Sequence, residues 1–87
     1  MAKVTGSDLI IKSLKMYEVD TIFGIAGDHI LHLLDKLIDQ DFRMIDGRHE
    51  AASVHMANAY SRILRKPGVV MSTTPGHANA VAGLANA

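Results

Sequence analysis

Apolar residues recur along this chain with two different periods. Between Thr5 and Glu18, Leu9, Ile10, Leu14 and Tyr17 fall at helical spacing, while Lys12 and Lys15 mark the wet side. Ser7 or Thr5 can cap that helix, and Asp8 precedes Lys12 by four residues, a favourable surface pairing. Thr21 to Ile25 is short, β-branched and aromatic, with Gly24 near its end, and predicts a strand. Asp28 then reads as the cap of a second helix reaching about Asp39. Its apolar face is Ile30, Leu33, Leu34, Leu37 and Ile38, with His32, Asp35, Lys36 and Asp39 outward. Arg43 to Asp46 predicts a second strand. Glu50 to Leu64 predicts a third helix, packing Ala52, Met56, Ala59, Tyr60 and Ile63. Pro67-Gly68 turns the chain into a third strand, Val69 to Ser72. The last run, His77 to Ala87, holds five alanines and Gly83, with only Val81 and Leu84 bulky. Such a helix can lie very close to a neighbour.

Helices and strands alternate throughout. That order predicts an α/β fold, a three-layer parallel sheet with helices on both faces and right-handed crossovers. Residues 1–87 read as one domain, without repeat, low-complexity tract or linker.

Composition narrows the function classes. A chain of 87 residues buries about 60–65% of its unfolded surface, so its core is small. An apolar fraction of 48% argues against disorder. Nine basic and nine acidic residues are interspersed and cancel, so no basic patch offers itself to nucleic acid. The aromatic residues Tyr17, Phe23, Phe42 and Tyr60 are too scattered for a base-stacking platform. Without cysteine there are no disulfides and no thiolate metal sites, which fits a reducing cytoplasm. The start, Met1 to Gly6, has no apolar core of a signal peptide, and no apolar run approaches the ~20 residues of a membrane span.

Candidate chemistry gathers at the strand ends. In a parallel sheet the segments Gly24 to Asp28, Asp46 to Glu50 and Thr73 to His77 all follow carboxyl ends, the edge where ligands bind. One crevice is expected to collect Asp28, His49, Glu50 and His77. Each has a plainer reading as well. Asp28 is a helix cap, His49 a loop hydrogen-bonding group, Glu50 a first-turn residue favoured by the helix dipole, and His77 a helix-start histidine. The pairs His29/His32 and His49/His55 have no third ligand at sensible spacing, and no metal site is expected. Gly24-Ile25-Ala26-Gly27-Asp28 is a weak phosphate-cradle signal, being neither G-x-G-x-x-G nor a Walker loop.

Arg48-His49-Glu50-Ala51-Ala52, then Met56-Ala57-Asn58-Ala59-Tyr60-Ser61-Arg62 and Lys66-Pro67-Gly68-Val69, resemble a pattern of the thiamine-diphosphate-dependent enzymes. The likeness is to the acetolactate synthase and 2-oxoacid decarboxylase type, in the N-terminal half of its pyrimidine-binding domain. Gly24-Ile25-Ala26-Gly27 resembles that family's F-G-x-P-G turn, with Ala26 at the usual proline. Ser72-Thr73-Thr74-Pro75-Gly76-His77-Ala78-Asn79 resembles T-S-G-P-G-x-x-N, with Thr74 at the usual glycine.

The resemblance implies that Glu50 is the catalytic residue. It would hydrogen-bond N1′ of the cofactor aminopyrimidine, favouring the imino tautomer that removes the proton from thiazolium C2. A buried carboxylate with a raised pKa would suit that role. Gly27, Pro75 and Asn79 are implied as further contacts to thiamine diphosphate, and Asp28, His49 and His77 as substrate-pocket candidates. The diphosphate and its Mg²⁺ would be held by a domain absent from these 87 residues. The chain then reads as a fragment of a longer cytoplasmic lyase or transferase, a dimer or tetramer acting on a 2-oxoacid. Alone it would be inactive. The alternative is a non-catalytic α/β module that self-associates.

Overall fold

In the computed structural model, which describes residues 3–87, alternation along the first strand decides the layering. Met1 and Ala2, the start of the run read above as lacking a leader core, lie outside the described residues. β1 (Thr21–Gly24) is the middle of a three-stranded parallel sheet of order β2-β1-β3, flanked by β2 (Arg43–Asp46) and β3 (Val69–Met71). Successive strand side chains point to opposite faces. Ile22 therefore joins its register partners Met44 and Val69 on one face, and Phe23 joins Ile45 and Val70 on the other.

Each face has its own pair of helices. α1 (Gly6–Met16) and α2 (Leu31–Ile38) pack on the Ile22 face, where Ile11, Val19, Ile22, Leu33 and Leu37 form the buried cluster. α3 (Glu50–Leu64) lies on the Phe23 face, and Tyr60 meets Phe23 edge-on at a centroid distance of 5.6 Å. α4 (Thr74–Asn86) packs along α3. The expected three-layer α/β arrangement is the one found. β1–α2–β2 crosses one face in one direction, and β2–α3–β3 crosses the other face in the opposite direction. Both crossovers therefore share one hand.

Helix ends and faces depart from the periodic reading in instructive ways. α1 stops at Met16 instead of Glu18, because Glu18 takes a left-handed conformation at φ 59°. Its buried residue is Ile11, with Leu14 half-buried beside it; Leu9, Ile10 and Tyr17 are exposed. The buried stripe runs through Ile11 and Leu14 against α2 and the core, rotated from the one through Leu9, Ile10 and Tyr17. In α3 the inward positions are Ser53, Val54 and Ala57, while Ala52, Ala59 and Ile63 are exposed. A bulk-weighted reading fails there because α3 is squeezed between the sheet and α4. Gly83 of α4 sits so close that a Cβ on it would lie 2.8 Å from Val54 Cβ. The small-residue composition of the last helix serves this close approach. That helix begins at Thr74 rather than His77, with Pro75 in its first turn.

Asp28 does not cap a helix. It opens a short 3₁₀ turn (Asp28–Ile30) ahead of α2, and neither Gly27 nor Ile30, the residues at the cap positions, supplies a side-chain bond. α1, by contrast, has a full capping box. Thr5 Oγ1 accepts from the Asp8 N–H at 3.2 Å, and Asp8 Oδ2 accepts from the Thr5 N–H at 2.9 Å. Lys36 of α2 then donates to Asp8 Oδ1 at 2.7 Å and to Thr5 Oγ1 at 3.0 Å. Asp8 thus pairs with a different helix, and not with Lys12 as its spacing suggested.

The Lys36 ammonium and the two Thr5 bonds hold the Asp8 pKa down, from its ordinary 3.8 to about 2. A depressed carboxylate stabilises the fold above its unfolded pKa and ceases to do so as pH falls through its folded one. Urea titrations followed by circular dichroism should therefore show stability declining between pH 3.8 and about 2. Asp8→Asn should be weaker than wild type at neutral pH and should show less of that decline.

Candidate functional site

Three loops meet at the carboxyl edge of the sheet, as parallel pairing requires. They are tied to one another by backbone. Gly47 N–H, after β2, donates to Gly24 O at 3.0 Å, and Ile25 N–H, after β1, donates to Met71 O at 3.4 Å. Gly27 approaches Thr73 so closely that an added Cβ would stand 2.4 Å from Thr73 Cγ2. The loop after β1 leads to one face of the sheet, while those after β2 and β3 lead to the other. β1 therefore borders a topological switch point, where such folds place their ligand crevice.

Glu50 is the first residue of α3 and sits on this edge. Its local fold follows from the residue before it: His49 is extended at φ −149° and caps the helix, Nδ1 accepting from Ala51 N–H at 3.1 Å. That bond assigns the neutral-ring proton to Nε2. The Glu50 side chain, half-buried, runs toward α4. Oε1 accepts from Asn79 Nδ2 at 3.1 Å, while a Cβ on Gly76 would lie 2.9 Å from Glu50 Cγ and 3.0 Å from Oε2.

These neighbours lower the Glu50 pKa. The Asn79 amide is the largest cause, followed by a bond from its own backbone N–H; partial burial opposes them, and His49 adds a smaller lowering. The raised pKa anticipated for a buried carboxylate is not what this chain has. Glu50 keeps enough water, and gains enough donors, to remain the anion.

The other candidates distribute unevenly. His77 lines a groove with Ile10, Leu14, Ile30 and Leu33, on the α1/α2 side of β3. Asp28 and His49 are exposed, and Pro75 lies in the first turn of α4 beside Gly76. Of the four residues expected in one crevice, the bonds among the described residues link none of the other three to Glu50. Asn79 is the residue that reaches it. Among the described residues no group of three or more histidine, aspartate or glutamate side chains comes together as a metal site, and no helix is long and apolar enough to cross a membrane.

The chain's sequence matches, over residues 4–87, the family described as "Thiamine pyrophosphate enzyme, N-terminal TPP binding domain". It belongs to that family. Among curated relatives, the catabolic acetolactate synthase of Raoultella terrigena is 42% identical over 83 residues, covering 94% of this chain and 15% of the relative. An acetolactate synthase of Mycobacterium bovis is 38% identical over 89 residues, covering 100% of this chain and 14% of its own length. The mitochondrial catalytic subunit of acetolactate synthase from Saccharomyces cerevisiae is 37% identical over 86 residues, covering 97% and 12%. The chain thus spans about a seventh of the relatives it matches.

Sequence reasoning missed Ser53, four residues along α3 from His49. It is fully buried, and its Oγ has no hydrogen-bond partner among the described residues. The hydroxyl lies under Gly47, where a Cβ would come within 2.3 Å of it. A serine among Ala51, Ala52 and Val54 was the available signal, overlooked because serine carries little weight in an apolar pattern. A buried hydroxyl without a partner is a net cost, and replacing it with an apolar group of similar shape removes that cost. Ser53→Ala should therefore leave stability unchanged or raise it by up to ~1–3 kcal/mol in urea unfolding. A loss of stability would place a partner on that hydroxyl.

Proposed function

We propose that this chain supplies the aminopyrimidine-facing glutamate of a longer thiamine-diphosphate-dependent enzyme, acting on 2-oxoacids in the manner of acetolactate synthases. The observation that carries this reading is the placement of Glu50: a charged carboxylate on the first turn of α3, at the ligand-binding edge of the sheet, seated against a bare α-carbon at Gly76. Family membership and the names of the relatives support it.

The residues present suit the cofactor's pyrimidine end. A hydrogen-bond acceptor is needed at N1′, and the half-exposed Glu50 carboxylate offers one. Thiamine diphosphate, when bound, supplies a nucleophilic thiazolium carbon and an electron sink for 2-oxoacid chemistry. With the cofactor bound, Glu50 would accept and return the proton at N1′. Gly27, Pro75 and Asn79 are our candidates for further contacts to that end. Asp28 and His49, exposed on the loops after β1 and β2, are candidates for contacts to substrate; His77, on the groove at the α1/α2 side of β3, is the least suited of these candidates. The diphosphate and its Mg²⁺ would be held by another domain of the longer protein. The longer protein would carry out lyase or transferase chemistry in the cytoplasm.

Glu50→Gln tests the central assignment in the longer polypeptide carrying this sequence, loaded with cofactor and Mg²⁺. Glutamine keeps the shape but cannot share a proton with N1′. Hydrogen–deuterium exchange at cofactor C2 should slow by about 10²–10⁴-fold, the usual worth of a positioned acid–base group. Cofactor affinity should fall far less. Unchanged exchange would make Glu50 a dipole residue and favour a non-catalytic interaction module.

Homo-oligomerisation is the second part of the proposal. Ile38 is 67% exposed, Ile63 78% and Leu84 54%, and among the described residues the outer edges of β2 and β3 are unpaired in the sheet. Exposed apolar area of this kind seeks a partner. Sedimentation velocity on the 87-residue chain should show dimers or larger species that grow with concentration. A single monomeric boundary at high concentration would remove this part.

A further inference from the structure

We propose that Asn79 and Gly76, one turn apart on α4, are positioning residues for Glu50: the amide fixes one carboxylate oxygen and the bare α-carbon receives the other. The inference rests on the catalytic reading of Glu50, and it changes the part given to Asn79. In place of touching cofactor directly, Asn79 acts through Glu50.

Two independent features of the geometry carry it. Asn79 Nδ2 donates to Glu50 Oε1 at 3.1 Å across the α3–α4 interface, between residues 29 apart in sequence. At Gly76 a Cβ would stand 2.9 Å from Glu50 Cγ, 3.0 Å from Glu50 Oε2 and 2.8 Å from Ser72 Cβ. The first two contacts could yield by moving a flexible side chain. The third cannot yield so easily, because Ser72 directly follows β3. Any side chain at 76 is thus forced toward the volume Glu50 occupies. A glutamate has three side-chain torsions, and a functional carboxylate must hold one arrangement of them. α4 imposes that arrangement from one side with a donor and from the other with an absence of atoms.

The electrostatic surroundings are simple enough to interpret a variant. The charged or titratable group acting on Glu50 from the preceding turn is His49, which lowers its pKa. α4 carries one titratable residue, His77, and it lines the groove on the α1/α2 side of β3. Removing the Asn79 donor therefore removes the leading influence that keeps Glu50 ionised.

The test is a carbon-13 titration of the Glu50 carboxyl in the cofactor-free 87-residue chain, comparing wild type with Asn79→Ala, Asn79→Asp and Gly76→Ala. The Glu50 midpoint should move up in Asn79→Ala. It should move further in Asn79→Asp, where a second carboxylate faces the first. Gly76→Ala should also raise it, and should return the Asn79 side-chain amide protons to solvent-like exchange. Asn79 is exposed, so its variants keep the fold even if Gly76→Ala does not, and circular dichroism checks this. An unchanged midpoint in folded Asn79→Ala overturns the proposal, because a merely structural asparagine would leave it there. This readout involves no cofactor. Slowed C2 exchange in Glu50→Gln with an unmoved titration would sink the positioning role alone. The reverse result would sink the catalytic reading and leave the contact standing.

Discussion

The approach of α4 to α3 is the constraint from which the candidate site follows. α4 has almost no side chains on its inner face: Gly76, Ala80 and Gly83 are its buried residues. Each buries little apolar area, so the interface gains less from area than from many short dispersion contacts between backbones and β-carbons. Bulk at position 83 would push the helices apart at Val54. The same shift would carry Gly76 and Asn79 away from Glu50. Packing and site geometry are therefore one problem here, and a substitution far from the carboxylate along α4 acts on it through the helix axis.

The sheet supplies the other half of the frame. With β1 in the middle, its loop and those of its neighbours emerge at one edge but depart to different faces, leaving an opening between them. Backbone bonds between the loops fix that opening without side chains. The outer edge of β3 is flanked on both faces by exposed apolar residues, Ile10 on one side and Leu84 on the other. This explains why Ile10 fails to bury although it has the right spacing: the sheet beneath it has ended.

Element order, the limits of β2 and α3, and the family itself were legible in the sequence, because each rests on local signals. Arg43 to Asp46 is bracketed by turn residues, and the quoted motif fixes Glu50 as a helix start. Faces were less legible. Ile11 was passed over for Leu9, Ile10 and Tyr17 because a helix with adjacent apolar residues offers more than one apolar stripe, and periodicity does not say which of them meets the core. Ser53, Val54 and Ala57 were passed over for Met56 and Ile63 because a tight interface selects small residues, and hydrophobic patterns reward large ones. Asp28 was expected to cap by residue type, yet the chain inserts a 3₁₀ turn there, and the capping geometry never forms. The Glu50–Asn79 bond spans two helices and could not be read from either motif alone.

The charge state of Glu50 shows how such a contact alters the chemistry available. A proton-sharing carboxylate is commonly expected to have a raised pKa from burial. Here burial opposes two hydrogen bonds that favour the anion, and the bonds win. The balance is conditional, because the favourable bonds come from protein groups that stay in place while the opposing influence depends on water. An apolar ring laid over the carboxylate would strip that water and strengthen desolvation, while the Asn79 donor stayed on Oε1. The carboxylate would then be an aligned acceptor whose affinity for a proton rises only when the crevice is filled. A glutamate raised by permanent burial would lack that dependence. The modest exposure of Glu50 is thus compatible with proton sharing, provided that the group it faces also excludes the solvent.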